Sequence, residues 1–351
     1  MKICIIIFNL ILFVFSAAAI DLSKIDYKAY GFINASVIYG DRNPAWHTQY
    51  KANPDYGKSD LNFTMETSRL GLKIIAPEEN NYKIDGVFEI DFTNGDNITN
   101  QNAELRLRKA YITIDKNNWK IIGGQTDMII AQTEPLMLNG GYLGHCGNLY
   151  GQIPQLRIGY KLNFFKIEAG ALKQTKDVKS ALPQTQTGQF RYQARIAAEK
   201  KLLIFKNAMF ALGFDKGKYS RDISESYAYS AELELPFKFG KISSEIFKGA
   251  NIKDLLGSIT MEPKKPEIKS NGAYFNLLWY FSKNLFSNAG YGYAKNKYSL
   301  LADLDYLKNR QKYINLWYRL TSRLLTAAEF YNIKSDMFYQ NNIFELKSNR
   351  Y

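Results

Sequence analysis

The chain is predicted to be all-β: a transmembrane antiparallel β-barrel of about sixteen strands, with one long connection, about residues 126–152, folded into its interior as a constriction loop. Three observations carry this reading. From Tyr27 onward the sequence breaks into short segments with period-two alternation, separated by polar, Gly, Asn, Asp or Pro residues. The connections are alternately tight and long. Finally, 15% of the residues are aromatic, yet no stretch beyond the N-terminus has the apolar continuity of a membrane helix. In a barrel, lipid-facing and lumen-facing residues alternate and cancel in any averaging window, so low hydropathy does not argue against a membrane.

At the N-terminus, Lys2 precedes an apolar run from Ile3 to Phe15, broken only by Asn9 and followed by Ser16, Ala17, Ala18 and Ala19. This is the pattern of a secretory signal peptide, residues 1–19, cleaved after Ala19. The run is shorter than the roughly 20 residues a membrane helix needs. No cysteine follows it, so a lipid-anchoring signal is not expected. Residues 20–351 are then one barrel domain. Cys4 leaves with the signal and Cys146 remains alone, which rules out an intrachain disulfide and a disulfide-stapled fold.

The strand candidates are 27–40, 59–76, 81–93, 104–115, 118–125, 153–162, 164–174 and 188–200, then 205–217, 224–238, 240–250, 270–282, 284–298, 310–321, 322–333 and 341–351. Sixteen strands sharing about 330 residues leave roughly 21 per strand with its loop, against about 9–11 needed to cross a bilayer. Tight turns fall near Pro77 to Asn80, Lys116 to Asn117, Asn163, Phe239 to Gly240 and Lys283. Long connections fall at 41–58, 94–103, 126–152, 175–187, 251–269 and 299–309. Such one-sided asymmetry suits short periplasmic turns and long outer loops better than a soluble propeller or sandwich.

The pleat is explicit at 312–321, where Ile314, Leu316, Tyr318 and Leu320 oppose Asn315, Trp317, Arg319 and Thr321. On 224–236, Tyr227, Tyr229, Ala231, Leu233 and Leu235 oppose Ser230, Glu232 and Glu234. Tyr82, Trp119, Tyr291 and Tyr293 are candidates for an interfacial aromatic girdle. In 59–76 the apolar parity of Leu61, Phe63 and Met65 switches to that of Leu70, Leu72 and Ile74, which calls for a bulge or for a change from an outer extension to the spanning part.

If apolar parity meets lipid, the opposite parity faces the lumen. Arg69 and Lys73 then face inward opposite Leu70, Leu72 and Ile74; Arg106 and Arg108 opposite Leu105, Leu107 and Tyr111. Arg157 faces inward opposite Leu156 and Ile158, and Arg191 and Arg195 opposite Phe190, Tyr192, Ala194 and Ile196. Acidic partners come from Glu89 and Asp91 on one strand and from Asp127 and Glu134 in segment 126–152. Without Lys2 the chain holds 45 basic and 33 acidic residues, about +12. Two readings of that excess stand: a basic rim facing the periplasm or lipopolysaccharide, and a lumen that prefers anions. Export argues against a nucleic-acid partner. Segment 126–152 is rich in glycine and too long for an idle loop, which favours folding into the lumen. Only His47 and His145 are present, with no G-x-S-x-G or H-E-x-x-H pattern, so neither catalysis nor a metal or other cofactor is expected.

The order Ser68-Arg69-Leu70-Gly71, Glu89-Ile90-Asp91-Phe92, Leu105-Arg106-Leu107-Arg108-Lys109-Ala110-Tyr111, Gly123-Gly124-Gln125-Thr126 and Pro154-Gln155-Leu156-Arg157 resembles the DcaP-like trimeric porin family of Gram-negative outer membranes. The likeness is strong over 60–160 and looser beyond, at Tyr291-Gly292-Tyr293 and Glu329-Phe330-Tyr331. The resemblance implies a homotrimer in the outer membrane, in contact with its lipid and lipopolysaccharide. It also implies a segment after Gln125 that lines the eyelet, passive diffusion of small polar solutes and a tendency to pass small anionic ones. Arg69, Arg106, Arg108 and Arg157 match the family's basic positions. Many relatives carry a coiled-coil segment before the barrel, whereas few residues separate Ala19 from Tyr27, so a trimer here would rest on barrel walls. At the other end, Glu345, Lys347 and Asn349 stand where lipid-facing residues are expected, and a bulge would return Phe344 and Leu346 to the outside. A structural or adhesive barrel without an open lumen is the alternative.

Overall fold

The computed structural model describes residues 24–41, 52, 59–93, 104–173, 190–202, 204–218, 225–259, 261, 266–299, 301–302, 304–340 and 342–350. The expected signal, 1–19, and most of the expected loops 41–58, 94–103 and 175–187 lie outside them.

All described strands belong to one antiparallel sheet. Strand β1 has two pieces, Asp26–Phe32 and Ser36–Gly40, and β2 likewise, Asp60–Thr64 and Arg69–Ile75. Asp26 pairs with Ile75 and Phe32 with Arg69, whereas Ser36 pairs with Thr64 and Gly40 with Asp60, so the register slips by one residue across the interruption. This slip reverses the facing of side chains and accounts for the parity switch after Met65. The sheet continues with β3 (Tyr82–Asp91), β4 (Arg106–Lys116), β5 (Trp119–Asp127), β6 (Gln152–Leu162), β7 (Phe165–Lys173) and β8 (Phe190–Leu202). It goes on through β9 (Phe205–Lys218), β10 (Glu225–Phe237), β11 (Gly240–Ala250), β12 (Lys269–Tyr280), β13 (Leu285–Lys297), β14 (Tyr306–Arg319), β15 (Leu325–Tyr339) and β16 (Asn342–Arg350). Each strand matches one predicted segment. The largest shifts are at β14, which extends through residues 306–309 of the expected loop 299–309, and at β15, which extends through 334–339, between the candidates 322–333 and 341–351.

Each strand pairs with its sequence neighbours, and β16 returns to β1 through Arg350 opposite Gly40, closing the ring at its loop end. Asn349 reinforces the closure by donating from its backbone N–H and Nδ2 to the Asp41 carboxylate at 2.8 and 2.7 Å. Farther from the loops, Leu325 and Thr326 of β15 and Ser36 and Val37 of β1 border a groove of about 950 Å3.

Short turns demand left-handed backbone, and asparagine supplies it: Asn117 between β4 and β5 has φ 53° and Asn163 between β6 and β7 has φ 52°. Aromatics gather at that turn end, where Trp119 packs on Tyr160 at 4.5 Å and Phe239 stacks on Trp279 at 6.0 Å. Outward residues along the strands, such as Leu156, Ile158, Phe275, Ile314 and Leu316, are large, apolar and exposed, as a lipid-facing wall requires.

The packed core lies between the inner wall and two connections that enter the barrel. Met128, Ile129, Ile130 and Leu149 from the segment after β5 meet Ile252, Leu255 and Ile259 from the segment after β11, together with Leu172 and Phe247 of the wall. A second cluster joins Met137, Leu143 and Cys146 to Tyr274, Tyr313 and Tyr331. The irregular part of the inward segment is 128–151, because β5 runs to Asp127 and β6 begins at Gln152.

Candidate functional site

Inward parity brings a row of charged side chains from β2, β3 and β4 to one wall. Arg106 donates from Nε and Nη2 to the two oxygens of Asp91 at 2.9 and 2.6 Å. Beside it, Arg108 donates to Glu89 at 2.9 Å and to Asp91 at 3.0 Å. Glu89 also accepts from the Tyr30 hydroxyl at 3.2 Å, and Lys73 pairs with Asp85 at 2.9 Å. The acids lie behind the cations: the Arg106 side chain is 45% exposed and that of Asp91 only 2%. The Arg106–Asp91 pair therefore presents its guanidinium, whereas Arg108 and Glu89 are both buried.

A bulge concentrates the charge further. Glu89 pairs with Lys109 but Ile90 pairs with Leu107, which leaves Arg108 as the extra residue of β4. Arg106, Arg108 and Lys109 consequently all face inward, and Lys109 pairs with Asp127 at the end of β5. The same slip turns Tyr111 inward, correcting its expected place beside Leu105 and Leu107 on the lipid face: Tyr111 lies opposite Val87, on the inward parity of Glu89.

The loop provides the facing side. Arg69 donates from Nη2 to the Tyr142 hydroxyl at 3.3 Å and lies 5.5 Å from the Phe32 ring centre. Arg108 donates to the Tyr150 hydroxyl, also at 3.3 Å. Enclosure pushes that phenol well above its ordinary value despite the guanidinium beside it, so Tyr150 stays neutral. Glu134 is exposed to the lumen. Enclosure by the walls and repulsion from Asp127 raise its carboxyl above the usual range, while Lys109, Arg108 and Arg69 pull it back. Glu134 is thus the acid that the loop contributes, while Asp127 belongs to the wall, paired with Lys109.

Inward carboxylates hold the loop in place. Glu232 accepts from the backbone N–H groups of Gln132 and Thr133 at 2.8 and 3.1 Å. Glu245 accepts from Leu149 N–H at 3.1 Å. Glu329 accepts from Leu138 and Asn139, each at 2.9 Å. Asn288 and Asn315 donate to the Leu136 carbonyl, and Gln193 accepts from Ile129 N–H at 2.8 Å. A loop without its own ladder leaves many backbone groups to satisfy, and these wall side chains do it. At Gly292 of β13 a side-chain carbon would stand 2.0 Å from the Cys146 carbonyl oxygen, so glycine lets the loop lie against the wall.

The structure thus gathers Arg69, Lys73, Arg106, Arg108, Glu89, Asp91 and Asp127 on the inner wall of neighbouring strands β2–β5, with Glu134 on the inward segment. The other three predicted cations face inward elsewhere. Arg157 lies 3.7 Å from Glu168, mostly buried. Arg195 clasps Glu232 at 2.8 and 3.2 Å and so supports the loop anchor. Arg191 is completely buried between Asp215 at 2.7 Å, Ser226 at 2.5 Å and Asp254 of the inward segment after β11, and borders no open space. The pore-lining expectation fails at Arg191, and Arg108 is nearly as buried, because an inward-pointing side chain stays accessible only where nothing packs over it. The anchors Glu232, Glu245 and Glu329 were missed as such. Their only sequence signal was acidic residues on the inward parity of central strands.

No protein-family model and no curated protein matches the chain. Among solved structures, the outer membrane channel DcaP of Acinetobacter baumannii is similar over 93% of this chain and 96% of its own, with TM-score 0.75 and 20% identity. An anion-selective porin from Comamonas acidovorans matches over 93% and 98%, with TM-score 0.66 and 12% identity. A trimer form of OmpT, an outer membrane protein of Vibrio cholerae, matches over 93% and 99%, with TM-score 0.60 and 11% identity. At these identities the shared property is the fold, the sixteen-stranded porin barrel.

Proposed function

We propose that this barrel is an outer-membrane porin that lets small polar solutes diffuse passively, prefers anions and assembles as a homotrimer. The observation that carries the reading is the inner wall: an inward loop is pinned to the barrel at several points, and beside it Arg106 stands exposed over the buried Asp91. Charged rings at such a constriction set ion preference by attraction and desolvation. The similarity to an anion-selective porin supports the preference, and the similarity to a trimer form supports assembly. Assembly is also favoured by the outer face of β1, β2 and the residue before β4, where Val37, Leu61, Phe63 and Leu105 are each at least 61% exposed.

The test is reconstitution in planar bilayers under a salt gradient. Porin function predicts steps in multiples of three and a reversal potential on the anion side. Arg106→Gln with Arg108→Gln should move that potential toward the cation side. A cation-side potential in the parent, unchanged by the double substitution, overturns the selectivity. The filling of the barrel by segments 128–151 and 251–259 favours a second reading, a closed structural barrel, which predicts no conductance.

A further inference from the structure

We infer that the loop-side outer face of β12–β16 binds the phosphates of a glycolipid of the outer leaflet. This rests on the outer-membrane reading and adds a site to it. Along β13 the outward residues run Tyr291, Tyr293, Lys295, Lys297, from the apolar band through an aromatic step to cations. With a rise of about 3.4 Å per residue, the lysines stand roughly 7 and 14 Å loopward of Tyr293, where headgroups begin. Neighbouring strands repeat the change, with Phe275 giving way to Lys269 on β12 and Ile314 to Lys312 and Arg310 on β14.

The register sets these cations against one another. Lys269 lies opposite Lys297, Lys295 opposite Lys308, and Lys334 opposite both Arg310 and Lys347. Like charges directly opposite each other destabilise a sheet. Two outward acids answer only part of this: Asp336 pairs with Arg310, and Glu345 lies 3.0 Å from Arg310, 3.1 Å from Lys347 and 3.8 Å from Lys334. Lys269, Lys295, Lys297 and Lys312 are exposed and have no acidic partner among the described residues. A face of this kind, at headgroup height, calls for a multivalent anion. Outer-leaflet glycolipid phosphates meet the requirement; a second copy of the same basic face would repel it. The apolar patch at Val37, Leu61 and Phe63 lies at a different part of the wall.

The experiment uses the full chain refolded in detergent, titrated with bis-phosphorylated lipid A, its dephosphorylated form and phosphatidylglycerol, with binding read by native mass spectrometry. The parent should bind bis-phosphorylated lipid A tightly and the other two weakly. In the triple variant Lys269→Gln, Lys295→Gln and Lys297→Gln the affinity should fall roughly 100-fold, about fivefold for each of the three lysines removed. Conductance and the heat-dependent gel shift should persist, which shows that the variant folds. Equal binding by parent and variant, or equal binding of dephosphorylated lipid A or phosphatidylglycerol, overturns the site. A parent that neither inserts nor shifts on heating overturns the membrane reading itself, and with it this one.

Discussion

Glu329 offers the sharpest test of how the inward loop is held. Its Oε1 accepts from Asn139 N–H at 2.9 Å, and its Oε2 accepts from both Leu138 N–H and the Asn315 side chain at 2.9 Å. In Glu329→Gln one oxygen becomes an amide donor, so at least one buried donor loses its partner and faces another donor. Hydrogen bonds to charged groups contribute about 1.5–3 kcal/mol each, so the local loss should be about 3 kcal/mol. At about 1.4 kcal/mol per decade, the population with residues 138–139 detached should rise roughly 100-fold. Hydrogen exchange resolved at Leu138 and Asn139 measures it, with Leu149 as internal reference because Glu245 holds it separately at 3.1 Å. Exchange should accelerate at the first two and not at the third. Unchanged exchange at Leu138 and Asn139 would refute the anchoring argument.

Gly292→Ala should loosen the loop by steric means, since the added carbon would stand 2.0 Å from the Cys146 carbonyl oxygen, at a cost of about 1–3 kcal/mol. Cys146 reports the event: burial pushes its thiol far above the ordinary value, so labelling should be very slow in the parent and faster in Gly292→Ala. The pH dependence of selectivity should come from Glu134. Its carboxyl lies above the usual range, so falling pH protonates it before ordinary carboxylates, the eyelet loses a negative charge and anion preference rises. Glu134→Gln should remove that step in a reversal-potential titration. Arg195→Gln should leave Glu232 without its bidentate partner and destabilise the barrel by about 3–5 kcal/mol, read as a lower midpoint for unfolding in denaturant.

The number of strands, their order and most of their boundaries are legible in the residues, because alternation with period two is a local property and Asn-rich turns such as those at Asn117 and Asn163 punctuate it. The inward arginines on β2 and β4 follow from the same rule. Where the rule failed, something non-local intervened. The bulge at Arg108 is a mismatch between two strands, invisible in either alone, and it turned Lys109 and Tyr111 inward. Strands β14 and β15 ran past their predicted ends because Lys308, Lys334 and Asp336 read as loop residues, whereas neighbouring strands supply ladder partners for them. Near the C-terminus Glu345, Lys347 and Asn349 share the outward parity, and Leu346 packs toward the core; no bulge returns Phe344 and Leu346 outward.

What the sequence by itself determined was the barrel: alternating hydrophobicity, turn chemistry and loop asymmetry each act over a few residues and agree on sixteen strands. What only the tertiary structure decided was which inward charges stay accessible inside the barrel. Arg106 and Arg191 have the same local pattern, yet one is exposed beside Asp91 and the other sealed beneath Asp254. The difference lies in where two connections fold, and that is set by carboxylates on distant strands, Glu232, Glu245 and Glu329 among them, finding backbone N–H groups about 100 to 190 residues away in sequence.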